Sequence, residues 1–309
     1  MNETLVAVLS VAAGVLIITV SWYDVFHTLL NPSGRGTMSR LVFASSWRVA
    51  RRLGRAGGTV GPASVVIVIA SWAGLQIVGW ALIYLPSLPA GFTYAPGIDP
   101  ENLLPIFEAL YFSAATLTTL GFGDLVPNEQ WLRMIVPIEA LTGFALLSSA
   151  AAWFIQIHGA LARQRALALR LTQLRESGFI DLLTGSATSS TAIIVESLAA
   201  QLAATRIDIM QTAETYYFRE LDSRFSLASG LVSASAIGEA ASASPQPEVR
   251  NAGVTMQIAL HDLARHLDTA FLRREVGLDS VLGDVPNGAA SHAARVFHHI
   301  ARDHRHDIS

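Results

Sequence analysis

The chain has 309 residues, of which 51% are hydrophobic and 15% charged, with a mean hydropathy of +0.43. Ordinary soluble proteins carry about 25% charged residues, so this composition points to a membrane protein. A net charge of −3 leaves no basis for a nucleic-acid partner, and the absence of cysteine excludes disulfides, thiol catalysis and cysteine-ligated metals.

The first apolar segment runs from Leu5 to about Leu30 and has the length of a signal peptide or a membrane helix. A signal peptide begins with basic residues, whereas Glu3 stands here, and Trp22 and Tyr23 form an interfacial belt. Residues 1–31 are therefore expected to be a transmembrane helix running from outside to inside. Asp24 and His27 lie three residues apart on one helical face just beyond the belt. They read as a helix end reaching the headgroups, or as a pH-sensitive pair. Asn31-Pro32-Ser33-Gly34 would end the helix.

Residues 32–61 form a basic linker carrying Arg35, Arg40, Arg48, Arg51, Arg52 and Arg55, and no further Lys or Arg occurs before Arg133. That asymmetry is the positive-inside signal and places the linker in the cytoplasm. The arginine spacing imitates a voltage sensor, but Leu41-Val42-Phe43 is too short an apolar run to span about 30 Å of hydrocarbon. An amphipathic helix on the anionic lipids of the inner leaflet fits better.

A second span is expected over residues 62–86, with Trp72, Trp80 and Tyr84 in its outer half. Ala70 and Gly74 form a small-xxx-small pair for close helix approach, and Gln76 is expected to bond a neighbouring helix. Asp99 and Pro100 read as the N-cap and first residue of a short helix reaching Thr118. About four turns cannot cross a bilayer. The backbone must enter and return, which is tolerated only where it is buried in protein or lines a water-filled cavity. This makes residues 100–118 a pore helix.

The stretch Thr118-Thr119-Leu120-Gly121-Phe122-Gly123-Asp124 follows. Glycine alone reaches left-handed dihedrals freely, and alternating handedness would aim successive carbonyls at one axis, where they replace a cation's hydration shell. This stretch resembles the selectivity filter of the tetrameric potassium-channel pore-domain family, whose pattern Thr-x-Gly-(Tyr/Phe)-Gly-Asp is met throughout. The resemblance implies that Thr119, Leu120, Gly121 and Phe122 offer oxygens to permeant K+, with Gly123 and Asp124 completing the filter. No other cofactor is implied. Tyr111 and Phe112 match the aromatic cuff around the filter, and Thr118 matches one of its paired threonines. Ala115 stands where many bacterial members carry a glutamate that pairs with the filter aspartate, which leaves Asp124 without that partner. Asn128 and Glu129 add to an acidic outer mouth that concentrates cations.

The third span is expected over residues 131–158. Gly143 occupies the family's gating-hinge position and reads as a hinge or a close-packing glycine, while Phe144, Leu147 and Ala151 resemble cavity-lining positions. Glu139 is a carboxylate inside a membrane span, a functional candidate by default. It reads as an ionised acid near the cavity that raises cation occupancy, or as one protonated or bonded behind the filter to Thr116 or Ser113, bracing the pore helix, which the register of Ala140 and Phe144 favours.

Arg163, Arg165, Arg170 and Arg175 place residues 159–309 in the cytoplasm. Leu161–Glu176 extends the inner helix, Gly178 breaks it, and a polar stretch Thr184-Gly185-Ser186 follows. Amphipathic stretches cover Thr191–Leu231 and Glu248–Arg274, with Ser242–Pro247 as the turn between them. In the second stretch Met256, Leu260, Leu263, Leu267 and Phe271 recur at helical spacing. Val276–Gly288 separates a last helix. His292, His299 and His306 recur every seven residues beside His298 and His304, as a metal or pH sensor or as a charged terminal helix. No Gly-x-Gly-x-x-Gly turn supports a nucleotide-binding regulatory domain, and no nucleophile–base set points to an enzyme.

The expectation is an all-α membrane protein with three transmembrane helices, a re-entrant pore helix and filter, and a helical cytoplasmic domain. One filter per chain implies a homotetramer in the plasma membrane, most simply a bacterial inner membrane, conducting potassium under the control of an unidentified stimulus or cytoplasmic regulator. The alternatives are a non-selective cation channel, or a non-conducting sensor or scaffold acting through its cytoplasmic helices.

Overall fold

The computed structural model describes residues 2–29, 36–52, 58–185, 187–272 and 293–300. Of the sequence features named above, Asn31–Gly34, Arg35, Arg55, Ser186, residues 276–288, His292, His304 and His306 lie outside the described residues, as do the side chains of Arg51 and Arg52. The described chain is almost wholly helical, and three helices are long and apolar enough to cross a membrane. It divides into two units, Met1–Ser45 with Ala63–Ile155, and Ser46–Pro62 with Gln156–Ser309.

The first unit contains α1 (Asn2–Leu29), the start of α2 (Thr37–Arg52), α3 (Val60–Tyr84), α4 (Pro105–Leu117) and the first part of α5 (Gln130–Glu176). Apolar side chains on every face suit α1 and α3 to lipid and protein neighbours rather than water. They cross where glycine removes both side chains. A Cβ on Gly14 would overlap the Gly79 carbonyl oxygen, and one on Gly79 would lie 2.7 Å from Ile18. Ser10 Oγ donates to the Leu82 carbonyl at 2.7 Å one turn away. The expected close approach at Ala70 and Gly74 is not the one found: Ala70 is exposed and Gly74 faces open space.

Trp72 also departs from expectation. Its indole donates to Asp24 Oδ2 at 2.9 Å, which places it level with the last turns of α1 rather than beside Trp80 and Tyr84. The other carboxylate oxygen of Asp24 accepts the Met38 amide at 2.8 Å. That N–H is one of the unpaired donors in the first turn of α2, so Asp24 caps α2 from another helix. Asp24 is thus a buried packing centre rather than a headgroup contact. Gln76 is buried, and its Oε1 has no hydrogen-bond partner among the described residues.

Helix α4, expected as a pore helix from residue 100, starts later than the sequence implies. Pro100–Asn102 forms only a 3-10 turn, and Asn102 Nδ2 bonds Asp99 instead of opening a helix. Pro105 explains the shift, because the residue before a proline is pushed out of the helical region and Leu104 is extended. Two three-residue strands that the sequence did not announce, β1 (Phe92–Tyr94) and β2 (Leu125–Pro127), pair antiparallel with Thr93 opposite Val126. Around them lies a core of Trp80, Ile83, Tyr84, Phe92, Phe112, Leu125 and Leu132.

The second unit holds the remainder of α5 with α6 (Phe179–Gly185), α7 (Ser189–Gln211), α8 (Leu227–Ser242), α9 (Pro247–Leu267) and α10 (293–300). Gly178, at φ +70°, ends α5 in the left-handed conformation that glycine adopts without strain. The amphipathic stretch expected over 191–231 is two helices. A 3-10 segment, Ala213–Tyr217, and the loop after it separate α7 from α8. Helix α9 packs on α7 and α8, and its close contact with α8 depends on Gly253, where a Cβ would overlap the Ser242 amide nitrogen. Met256, Leu260, Leu263, Leu267 and Phe271 are all buried. Full burial of each such side chain contributes about 1.5–3 kcal/mol. In α10, Val296, Phe297 and Ile300 join this core while His298 and His299 face out.

Candidate functional site

Helix α4 delivers its C-terminal end to the filter segment. The Thr118 amide bonds the Ala114 carbonyl at 3.1 Å, Thr119 N bonds Thr116 O at 2.9 Å, and Leu120 N bonds Ala115 O at 2.8 Å. The carbonyls left unpaired at the end of α4 are thus used to turn the chain. Thr116 meets the filter segment through its main-chain carbonyl.

Beyond that turn the backbone alternates. Thr119, Gly121 and Gly123 have φ of +58°, +52° and +78°, with Leu120 and Phe122 outside the left-handed region. A non-glycine residue at positive φ stores strain, which persists only where its surroundings hold it. No atom lies within 4 Å of a Cβ built on Gly121 or Gly123. Their requirement for glycine is therefore conformational, not steric. Leu120 and Phe122 are 59% and 69% exposed in the single chain.

The far end of the segment is tied down on two sides. The Ala95 amide donates to the Asp124 carbonyl at 2.8 Å, next to the β1–β2 pair, and Asn128 N donates to Gly91 O at 2.8 Å. The Tyr111 hydroxyl donates to Asp124 Oδ2 at 2.6 Å. Asp124 therefore has a partner despite Ala115, and that partner is the first residue of the expected cuff. Phe112, the second, turns away from the segment into the core, edge-on to Tyr84 and Phe92 with ring centres 5.0 Å from each.

Behind α4, Glu139 is fully buried. Ser113 Oγ donates to its Oε1 at 2.6 Å and the Tyr84 hydroxyl to its Oε2 at 2.6 Å. One carboxylate on α5 thus joins α4 and α3. Of the two partners expected for Glu139, Ser113 is the one present. Tyr84 was missed as a partner. Its signal was a hydroxyl at the end of one apolar span and a lone acid inside another, though Ser64, Ser71, Trp72, Gln76 and Trp80 offered donors in the same span.

Gly143 lies directly under the end of α4. A Cβ there would overlap the Leu117 carbonyl oxygen. Glycine at this point lets α5 pass against the backbone of α4, and α5 continues unbroken on both sides of it. Phe144, Leu147 and Ala151 project from the other face and are exposed in the single chain. Between the faces lies a largely apolar recess of about 280 Å³, floored by Leu117, Thr118 and Thr119 and walled by Ile69, Ala73 and Leu147. Among the described residues no cluster of His, Asp and Glu is arranged to hold a metal ion.

Acidic residues border the segment 118–124. Glu108 sits in the first turns of α4, and its burial, with the negative Asp124 nearby, pushes its carboxyl above the usual range. Burial and Glu108 likewise raise the Tyr94 phenol. The Trp131 indole donates to the Glu129 carboxylate at the start of α5.

Residues 67–158 match the family model described as an ion channel. The chain is 27% identical over 173 residues to the Bacillus subtilis uncharacterized membrane protein YdjJ, covering 54% of this chain and 50% of that one. It is 37% identical over 76 residues to the two-pore potassium channel 1 of Arabidopsis thaliana, covering 23% of this chain and 19% of the plant protein. Protein LctB of Geobacillus stearothermophilus is 35% identical over 83 residues, or 26% of this chain and 61% of LctB. The chain thus spans about half of YdjJ and less than two thirds of each of these relatives. No solved structure matches it. The part of the chain that carries the segment 118–124, residues 67–158, is therefore similar to the pore region of ion channels.

Proposed function

We propose that the chain is the subunit of a homotetrameric, potassium-selective channel that conducts K+ passively across a plasma membrane. The alternating handedness of Thr119, Gly121 and Gly123 carries this reading. Such a backbone presents the carbonyls of Thr119, Leu120, Gly121 and Phe122 in one row, and a ring of four rows replaces the hydration shell of a dehydrated cation. Tetramerisation is supported by what one chain leaves open. Leu120, Phe122, Met134, Leu141, Phe144 and Leu147 are each more than half exposed, an apolar face that neighbouring subunits would cover. Thr118, Tyr111, Phe112 and Glu139 support the filter, with Thr116 doing so through its carbonyl. Phe144, Leu147 and Ala151 line the inner cavity, and Gly143 is where α5 bears on the pore helix during gating.

The bias of arginine supports an orientation with the N-terminus outside, α2 on the anionic inner leaflet and the second unit in the cytoplasm. That unit holds the extension of α5 through Arg163–Asp208, Gln164–Thr215 and Arg165–Glu220, so a cytoplasmic regulator acting on it would act on the inner helix.

The test is rubidium flux and reversal potential in liposomes containing the purified protein. The expected result is flux that follows the potassium gradient, with a reversal potential close to that of potassium in mixed potassium and sodium. A reversal near zero in equal mixtures would assign a non-selective pore. Absence of flux, with assembly intact, would assign a sensor or scaffold.

A further inference from the structure

Within the second unit, the extension of α5 faces the first turn of α8 across a cavity of about 50 Å³. Leu161, Ile209, Leu231 and Leu267 give it apolar walls, and Gln164, Arg165, Glu220 and Ser226 bring polar groups to the same space. That volume exceeds the ~30 Å³ taken by one liquid water and falls well short of the roughly 150 Å³ of a cavity that holds benzene. An occupant therefore places only a small apolar group inside, and its polar part meets those four side chains.

Each of the four keeps hydrogen-bonding capacity in reserve. Gln164 is 7% exposed; its Nε2 donates to Thr215 Oγ1 at 3.1 Å, and its Oε1 accepts no hydrogen bond among the described residues. An amide oxygen on so buried a side chain is penalised by its desolvation, and an occupant carrying an N–H removes that penalty. The Arg165 guanidinium meets Glu220 through Nε at 2.7 Å and Nη2 at 2.6 Å, both on Oε1. The N–H donors of Nη1 and the second oxygen of Glu220 are left for other groups. Ser226 is the N-cap of α8, yet its hydroxyl makes no capping bond, and no acidic residue lies in the first turn. The amides of Leu227 and Ala228, which also border the cavity, are thus helix-start donors without an intrahelical acceptor.

The charges of this set cancel, with one guanidinium, one carboxylate and two neutral groups. A lone anion would meet Arg165 against the repulsion of Glu220, and a lone cation would meet the reverse. A zwitterion brings one charge for each. We propose that the cavity is a binding site for a free α-amino acid with a short aliphatic side chain. The ligand's carboxylate takes Arg165 Nη1, the Ser226 hydroxyl and the first-turn amides of α8. Its ammonium takes Glu220 Oε2 and Gln164 Oε1, and its side chain fills the space among Leu161, Ile209 and Leu231. The ligand thereby joins α5 to α8 inside the second unit. No pore residue takes part, so the site stands or falls apart from the channel function.

The experiment titrates L-valine into the purified full chain in detergent by isothermal calorimetry, with thermal unfolding measured in parallel. The expected result is saturable binding with a dissociation constant of about 1 mM or below, and an unfolding temperature that rises with free valine. Isobutylamine, which lacks the carboxylate, and 3-methylbutanoate, which lacks the ammonium, should each bind about tenfold more weakly or worse. L-Phenylalanine should be rejected, because its ring exceeds the space. Ser226→Ala removes a hydroxyl that caps nothing. It should leave the unfolding temperature without ligand unchanged and weaken valine binding by about fivefold or more. Arg165→Gln should weaken it further. Valine heats that do not saturate up to about 10 mM overturn the site. Equal binding of valine and either single-charge analogue overturns the zwitterion, and equal binding of phenylalanine overturns the size limit. Valine binding unchanged in both variants overturns the location.

Discussion

The Tyr84 hydroxyl lies 2.6 Å from Glu139 Oε2, and Ser113 bonds the other oxygen, so one buried carboxylate spans α3, α4 and α5. A buried acceptor that loses its hydrogen-bond donor is penalised by its desolvation, about 1–3 kcal/mol. Tyr84→Phe keeps the ring that packs on Phe112 and removes only the donor. It is expected to destabilise the protein by about 1–3 kcal/mol and to alter conduction through the filter α4 supports. Thermal unfolding in detergent, with flux in liposomes, measures both. Stability equal to wild type would mean that the hydroxyl has no bracing role.

Three glycines near the filter should respond differently to the same substitution. At Gly121 and Gly123 an added Cβ meets open space, but the left-handed backbone disfavours it by roughly 1–2 kcal/mol per residue. Gly121→Ala should leave assembly intact and abolish potassium flux. At Gly143 the Cβ would overlap the Leu117 carbonyl, so α5 must move away from the pore helix. Gly143→Ala should lower the yield of folded oligomer, and overpacking of this kind costs about 1–3 kcal/mol or more. Size-exclusion profiles and flux of the two variants separate the cases. A fully conducting Gly121→Ala variant would contradict the carbonyl row.

What was legible in the sequence was what local rules specify. The spans follow from runs of apolar residues, and the left-handed Gly121 and Gly123 from the residue type that permits them, whereas the left-handed Thr119 had no such local sign. The inward register of Glu139 follows from helical geometry. What was not legible depended on pairings across the fold. Asp24 gives no local sign that it would cap a helix beginning at Thr37, because Met38 and Trp72 reach it only after α2 and α3 have packed. The β1–β2 pair is three residues long, too short to leave an alternating pattern. Pro105 was visible, yet Pro100 offered an equally good helix start, and only the extended Leu104 distinguishes them.

Asp24 can be tested directly. Trp72→Phe removes the indole donor at 2.9 Å while keeping an aromatic ring against Trp153, and leaves the carboxylate with the Met38 amide. The loss of one donor to a buried carboxylate is expected to destabilise by about 1–3 kcal/mol. Hydrogen exchange should accelerate at the Met38 amide as the corner loosens. Unchanged exchange there would show that α2 is held by its other contacts alone.

Glu108 gives the last prediction, in which stability and conduction have opposite signs. Burial, reinforced by the negative charge of Asp124, raises its carboxyl above the ordinary value of 4.5. The folded protein therefore holds this proton more tightly than the unfolded chain. The resulting stabilisation is fully present below the unfolded value and is lost as pH rises through the elevated folded one. Conduction runs the other way. Protonation removes a negative charge beside Asp124 at the outer mouth, and a charge near an aqueous surface alters local cation concentration through a term of about 1 kcal/mol or less. Lowering the external pH through the raised Glu108 range should reduce inward flux by a few-fold at low salt, and less at high salt. Glu108→Gln should show the reduced flux already at neutral pH and lose this part of the pH dependence. It should also lose the gain in thermal stability that acidification gives the wild type. A Gln variant with the wild-type pH profile would remove Glu108 from the mouth's electrostatics and leave Asp124 and Glu129 as its acidic groups.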